Sequence, residues 1–272
     1  GIMKRDKSLS YDTSTGLMRY NLRANVDLNI TQTTTMRFSA GGYLQKLHKQ
    51  ANSTETTWDY AFQTPPMVHP AMYADGRIPV RSSRVNPWAY LTQYGYNINT
   101  SSKIESLFAV EQKLDFLTKG LSTKVTFSFD NFSLSTLKRT KSPSYYLPAT
   151  TRDDEGNLRL TLNSSGSQFL NYEEGSDYGN NQTYLEWVAS YDRTFAKSHN
   201  VNALLLYNQR SYDDGGIQPY RNQGFAGRAA YSFKNKYVGE FNFGFNGSEN
   251  FAKGKRFGFF PSVALGWLVS EE

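Results

Sequence analysis

From Tyr20 to Ile30 every second residue is apolar, as Tyr20, Leu22, Ala24, Val26, Leu28 and Ile30 alternate with Asn21, Arg23, Asn25, Asp27 and Asn29. A helix cannot hold two such sets on opposite sides, whereas a β-strand points successive side chains to opposite faces. The stretch therefore predicts a strand with one apolar and one polar face. Soluble strands run to about 5–6 residues, and a tilted membrane-crossing strand needs about 9–11. This one is long enough to cross a bilayer.

The same period recurs along the chain. It predicts strands at residues 36–44, 104–116, 121–129, 185–195 and, less clearly, 201–207. Three more carry odd-numbered apolar residues: Phe225 to Phe233, Tyr237 to Phe245 and Phe257 to Val269. About nine long strands result. The connections alternate in length: short ones at 31–35, 118–120, 196–200 and 234–236, long ones at 46–103, 136–182, 213–223 and 247–256. A soluble meander has no reason to gather its long loops at one end, whereas outer-membrane barrels have short periplasmic turns and longer extracellular loops. The long loops show no helical periodicity, and loops of that size are usually functional. No internal repeat and no Gly/Ser- or Pro-rich linker divides the chain, so residues 1–272 read as one domain.

Composition sharpens this. No run approaches the roughly 18 uncharged apolar residues of a membrane helix, which excludes a helical membrane protein, and a mean hydropathy of −0.61 does not exclude a barrel, in which only alternate residues meet lipid. Tyr (19) and Phe (18) are abundant, as strands and membrane interfaces favour. There is no cysteine, which removes disulfides and thiolate metal sites. The net charge of +6 is spread along the chain and forms no stripe, so nucleic acid is not an expected partner. The N-terminus has no apolar core of a signal peptide, so an exported chain is expected to be processed or part of something longer.

Catalytic chemistry has no positive motif: there is no nucleophile elbow, P-loop or dinucleotide fingerprint. His48, His69 and His199 stand apart in sequence and read as solvated. The acidic groups Asp153-Asp154-Glu155, Glu173-Glu174 and Asp213-Asp214 lie beside glycines and read as turns, the first as a hairpin tip within a long loop. No catalytic residue, cofactor or metal ligand is expected. Loop 46–103 differs in carrying Trp58, Tyr60, Tyr73, Trp88, Tyr90 and Tyr94 among five prolines. Aromatic faces of this kind either contact a ligand or partner or pack on one another to order the loop. Lys253, Lys255 and Arg256 in the last long loop would meet lipid phosphates or stay solvated.

The stretches Tyr220-Arg221-Asn222-Gln223-Gly224-Phe225-Ala226-Gly227-Arg228, Tyr237 to Phe251 and Arg256 to Trp267 resemble the barrel of the SusC/RagA family of TonB-linked outer-membrane transporters of Bacteroidetes. Thr64-Pro65-Pro66, Asp75-Gly76, Asn86-Pro87 and Leu91-Thr92-Gln93-Tyr94-Gly95-Tyr96 resemble a long extracellular loop of that family. The resemblance implies an all-β, antiparallel up-and-down transmembrane β-barrel segment, incomplete relative to a barrel of about 22 strands, in a Gram-negative outer membrane. It implies import of oligosaccharides or peptides with a SusD-like surface lipoprotein. Energy would come from the TonB complex through an N-terminal plug and TonB box, neither of which has a counterpart in these residues.

On that reading Tyr20, Leu22, Leu28, Phe241 and Phe243 face lipid, and Arg19, Arg23, Asp27, Arg228, Glu240 and Asn242 face the lumen. The edges of so short an arc would stay open unless further strands are supplied. Two other classes remain. A soluble carbohydrate-binding or adhesive β-sandwich would have short strands in two packed sheets. A glycoside hydrolase would need paired carboxylates across a cleft.

Overall fold

The computed structural model describes residues 11–81 and 84–271. Nine long strands hydrogen-bond in the order β1-β2-β4-β5-β9-β10-β11-β12-β13. They are β1 (Gly16–Asn29), β2 (Thr34–Gln50), β4 (Gly95–Lys113), β5 (Leu121–Thr140), β9 (Tyr178–Phe195), β10 (His199–Asp213), β11 (Tyr220–Phe233), β12 (Tyr237–Ser248) and β13 (Phe257–Trp267). Each covers one stretch that the sequence predicts as a strand, β10 the less clear one at 201–207. Their lengths, 11 to 20 residues, do not fit the short strands of a β-sandwich. Several strands outrun their sequence signal, β4 and β5 the most: β4 begins at Gly95 and β5 continues to Thr140, while β2 reaches Gln50, β9 begins at Tyr178 and β10 reaches Asp213.

The chain divides into two compact units. The first holds residues up to Tyr20 with Leu44–Ser101 and Leu134–Asp177, and so contains the two longest connections. These carry elements of their own, including two helices where the sequence shows no helical periodicity. The first carries helices α1 (Thr54–Gln63) and α2 (Pro87–Thr92) and the short strand β3 (Ile78–Pro79). The second carries β6 (Tyr145–Arg152), β7 (Leu158–Ser164) and β8 (Asn171–Glu174). β3 pairs in parallel with β6, which pairs with β7, while β8 lies along the end of β5. Asp153 Oδ1 accepts from the Glu155 (3.1 Å) and Asn157 (2.7 Å) amides, and Gly156 has φ 86°. The acidic run is the tip of the β6–β7 hairpin, as its composition predicts.

The second unit, Asn21–Tyr43, Ser102–Ser133 and Tyr178 onward, carries the short-turn ends of the first four long strands and all of β9–β13. Its short turns are explicit. Ala196 and Lys197, then Lys234 and Asn235, take successive positive φ values of 47°, 61°, 50° and 58°, which is the two-residue hairpin geometry that matches strand twist. Thr31 Oγ1 accepts from the Thr33 (3.2 Å) and Thr34 (3.0 Å) amides, and Asp115 Oδ1 accepts from the Gly120 amide at 2.8 Å.

What is missing is a core. Among the described residues five hydrophobic side chains are buried: Tyr11, Ile78, Ala89, Ala109 and Val188. Leu22 is 76% exposed and Leu265 87%. A soluble domain of this length would bury most of its large aliphatics, so these faces need an apolar solvent.

Candidate functional site

The registers of β9 to β13 sort the residues into two faces. On the odd-numbered face, Trp187, Tyr207, Phe225, Phe245 and Phe259 are opposite one another across the five strands. Eight residues further along β10, Phe195, His199, Phe233, Tyr237 and Trp267 form a second such row. Between the rows stand Ala189, Leu205, Gly227, Phe243 and Pro261, then Tyr191, Ala203, Ala229, Phe241 and Val263, then Arg193, Val201, Tyr231, Gly239 and Leu265. Rings within this face touch: Phe245 stacks on Phe257 at 5.0 Å and Phe225 lies 5.9 Å from Phe243. Eight residues at ~3.3 Å, tilted by ~40°, span roughly 20 Å, close to the ~25 Å apolar band that aromatic girdles bound in outer-membrane barrels. The girdles could not be read from sequence, because register alone aligns residues that stand far apart along the chain.

The even-numbered face of the same strands is polar, and all three of its sequence candidates meet there. Arg228 is opposite Asn242 in the register, its Nη2 lies 2.5 Å from Glu240 Oε2, and Asn242 Nδ2 donates to Glu240 Oε1 at 2.8 Å. In the earlier strands Asp27 lies 3.9 Å from Arg37, which is 3.7 Å from Glu111. Arg19 Nη1 donates to Gln45 at 3.4 Å. Arg23 lines a polar cavity of about 230 Å³ with Ser39, Glu105, Ser128 and Asp130. Lys103, ion-paired with Glu105, adds a charge that the sequence reading missed, as it did Asp130 beyond the predicted end of β5. Exposed pairs of this kind stabilise little, so the cluster's interest is its sign pattern.

In the first unit the loop aromatics divide. Ser53 caps α1 by accepting from the Thr56 amide, and Asn86 caps α2 by accepting from the Ala89 amide at 3.1 Å, with Pro87 in the first helical turn. Asn86 is fully buried and its Nδ2 donates to the Ala71 carbonyl at 2.8 Å. Between the helices Tyr60 meets Tyr90 edge-on at 4.9 Å, Tyr90 lies 5.4 Å from Tyr94, and the Tyr94 and Tyr145 hydroxyls are 3.1 Å apart. Tyr60, Tyr90 and Tyr94 therefore order the loop. Tyr73 bonds backbone to backbone with Arg77, whose guanidinium lies over Tyr146 at 5.2 Å. Tyr145 and Tyr146 went unnoticed in the sequence because they belong to the other long loop.

Burial, with the Tyr94 hydroxyl second, pushes the Tyr145 phenol far above its usual range, and burial with Tyr60 and Tyr94 raises Tyr90. A raised phenol favours the protonated folded state. Its contribution is complete below the unfolded value of about 10 and is lost as pH rises toward the folded value. An alkaline titration followed by phenolate absorbance is expected to show these tyrosines ionising late, together with loosening of the loop. Tyr145→Phe is expected to cost about 1 kcal/mol in urea unfolding.

Trp58 and Trp88 behave differently. Trp58 is 61% exposed and lies 6.1 Å from Phe62. With Trp88, Ala61, Pro87 and Leu91, and with Thr15, Gln50, Thr54 and Thr57 on the polar side, it lines an open cleft of about 480 Å³. Gln50 is held in place there by accepting from Thr15 Oγ1 at 3.2 Å and donating to Thr54 Oγ1. This cleft is the candidate contact site.

The remaining chemistry-bearing residues stay apart. His48 donates to the Ser14 carbonyl and stacks on Tyr96, His69 meets the Pro70 carbonyl, and His199 meets the Tyr231 hydroxyl at 2.7 Å. Asp213 and Asp214 accept from the Gly215 and Gly216 amides, as turn residues do. Lys138 and Thr140 hold the Glu173 carboxylate below the usual carboxylate range. Among the described residues no group of three potential metal ligands gathers.

No family model matches the chain. In sequence it is 25% identical over 284 residues to TonB-dependent receptor P3 of Formosa agariphila, covering 95% of this chain and 27% of that protein. A 48-residue stretch is 46% identical to TonB-dependent receptor SusC of Bacteroides thetaiotaomicron, covering 18% of this chain and 5% of SusC. In fold it is similar to the RagAB peptide transporter, with TM-score 0.66 and 13% identity over 95% of this chain and 31% of that one. The RagAB peptide importer in its open-open state gives TM-score 0.63 at 15% identity, over 92% of this chain and 29% of that one. The chain thus spans less than a third of the length of these proteins. The named relatives are receptors and transporters rather than enzymes.

Proposed function

From a SusC/RagA-like barrel segment of the outer membrane, we propose that the chain supplies part of the wall and surface loops of an energised importer of oligosaccharides or peptides. The odd face of β9–β13, bounded by its two aromatic girdles, carries this reading. That face, with Tyr20, Leu22 and Leu28 of β1, lies against lipid. The even face, with Arg228, Glu240 and Asn242, and with Arg19, Arg23 and Asp27 of β1, lines the lumen. The short hairpins then point to the periplasm and α1 and α2 to the exterior. A SusD-like lipoprotein hands substrate to the loops, and TonB acts through a plug supplied by the rest of the protein.

Within this function the cleft between Trp58 and Trp88 contacts substrate or the lipoprotein, for it offers flat apolar faces beside fixed hydroxyl and amide groups. Trp58→Ala is expected to lower uptake of the cognate oligosaccharide or peptide about tenfold, as loss of an interfacial aromatic anchor does. Because Trp58 is mostly exposed, the unfolding midpoint should move little. Uptake by cells carrying the variant measures this, and unchanged uptake removes Trp58 from the contact site.

A further inference from the structure

The short-turn rim of the apolar face carries charge that the wall reading does not use. Segments 193–200 and 231–238 contain Arg193, Lys197, Lys234 and Lys236 and no carboxylate, and Asp192, next to Arg193, belongs to the even face, where it accepts from Asn202 Nδ2 at 2.9 Å. The two turns are tied together, since the Lys234 amide donates to the Ser198 carbonyl at 2.6 Å and Asn200 Nδ2 to Asn235 Oδ1 at 2.7 Å. The Arg193 guanidinium lies 4.7 Å from the centre of the Phe195 ring, and Lys234 Nζ lies 5.4 Å from that of Phe233. Both rings belong to the girdle of the apolar face; Lys234 stands beyond it on the turn, and Arg193 stands one register row inside it, in the row of Val201, Tyr231, Gly239 and Leu265.

Beside them the face has a gap. Gly239 stands between Tyr231 of β11 and Leu265 of β13, one register row from the girdle pair Tyr237 and Trp267. The absence of a side chain there leaves a groove of about 450 Å³, lined by Tyr231, Tyr237, Gly239, Leu265 and Trp267 among others. Its walls are aromatic and aliphatic, and Lys234 stands on the turn that joins β11 and β12, the two strands that supply Tyr231, Tyr237 and Gly239.

We propose that this groove and rim bind one anionic phospholipid, with an acyl chain over Gly239 and the phosphate against Lys234 and Arg193. The inference rests on the odd face being the lipid face. A groove of this kind offers a chain close contact along rings that a flat wall does not, and each rim cation adds about 1 kcal/mol of attraction to an anionic headgroup. The absence of carboxylates on the turns makes the rim selective for phosphatidylglycerol over zwitterionic phosphatidylcholine.

The test is native mass spectrometry of the full-length protein, released from detergent after exchange with phosphatidylglycerol, phosphatidylcholine or inorganic phosphate. Phosphatidylglycerol should be retained in preference to phosphatidylcholine. Lys234→Gln and Arg193→Gln should each weaken that preference about fivefold without affecting phosphatidylcholine. Gly239→Leu should remove the retained lipid. A Cβ at Gly239 would lie 3.6 Å from Leu265 Cδ2 with nothing nearer, so the backbone there accepts a side chain, and the two rim variants test the proposal even if that one fails to fold. Equal retention of both lipids, or inorganic phosphate binding as tightly as phosphatidylglycerol, overturns it. A spin label at Phe241 separates the two levels: lipid contact there with no headgroup preference defeats this inference alone, and water contact there defeats the wall reading beneath it.

Discussion

Gly95→Ala is expected to cost roughly 3–5 kcal/mol and to leave the loop-side ends of β2, β4 and β5 unpaired. Gly95 opens β4 with φ 102°, a conformation that residues with a Cβ adopt only under strain. A Cβ built there would lie 2.0 Å from the Arg139 carbonyl oxygen, a backbone atom that no rotamer change can move aside. The backbone around it is also engaged, as its carbonyl accepts from the Ala51 amide at 3.3 Å and the Tyr94 carbonyl from the Lys141 amide at 3.1 Å. Strain and displacement therefore add. Gly76→Ala is the control, since its φ of 84° carries similar strain but nothing lies within 4 Å of the built Cβ. It should cost only about 1 kcal/mol. Urea unfolding of the vesicle-inserted protein compares the two, and equal midpoints would mean that the close approach at Gly95 is not part of the native packing.

The second large effect separates the two faces. Phe241→Arg is expected to destabilise the inserted protein by about 2–4 kcal/mol, the cost of a cation near the bilayer midplane on the lipid face. Ser262→Arg should cost under about 1 kcal/mol, because Ser262 is opposite Asn242 on the even face, where Arg228 is already accommodated. Phe241 and Asn242 are neighbours along one strand, so position along the barrel cannot explain the difference. If both substitutions cost the same, the face assignment is wrong.

Most of the long strands were legible because they repeat an apolar residue at a period of two, and β10, apolar on both faces from Ala203 to Leu206, gave the weaker signal. Where that alternation fades the signal faded too. Gly95–Thr100 alternates Tyr96 and Ile98 with Asn97 and Asn99, yet β4 was expected to begin only at residue 104, because Ser101, Ser102 and Lys103 interrupt the pattern. α2 announced itself through Asn86-Pro87, a cap followed by proline, but at six residues it is too short for helical periodicity to appear. The loop aromatics were visible as a group. Which of them order the loop and which stay exposed depended on Tyr145, a partner about fifty residues away along the chain. The lumen candidates on β11 and β12 came together because a hairpin register brings them opposite one another. Arg19, Arg23 and Asp27 found separate partners.

The central claim, that odd positions of β12 and even positions of β1 face lipid, is tested most directly by nitroxide labels. They are placed one at a time at Leu22, Arg23, Phe241 and Asn242 of the full-length protein in vesicles, and relaxation is measured with oxygen and with a water-soluble nickel chelate. The account predicts that oxygen dominates at Leu22 and Phe241 and the chelate at Arg23 and Asn242. Dominance of the chelate at Leu22 and Phe241 would contradict it.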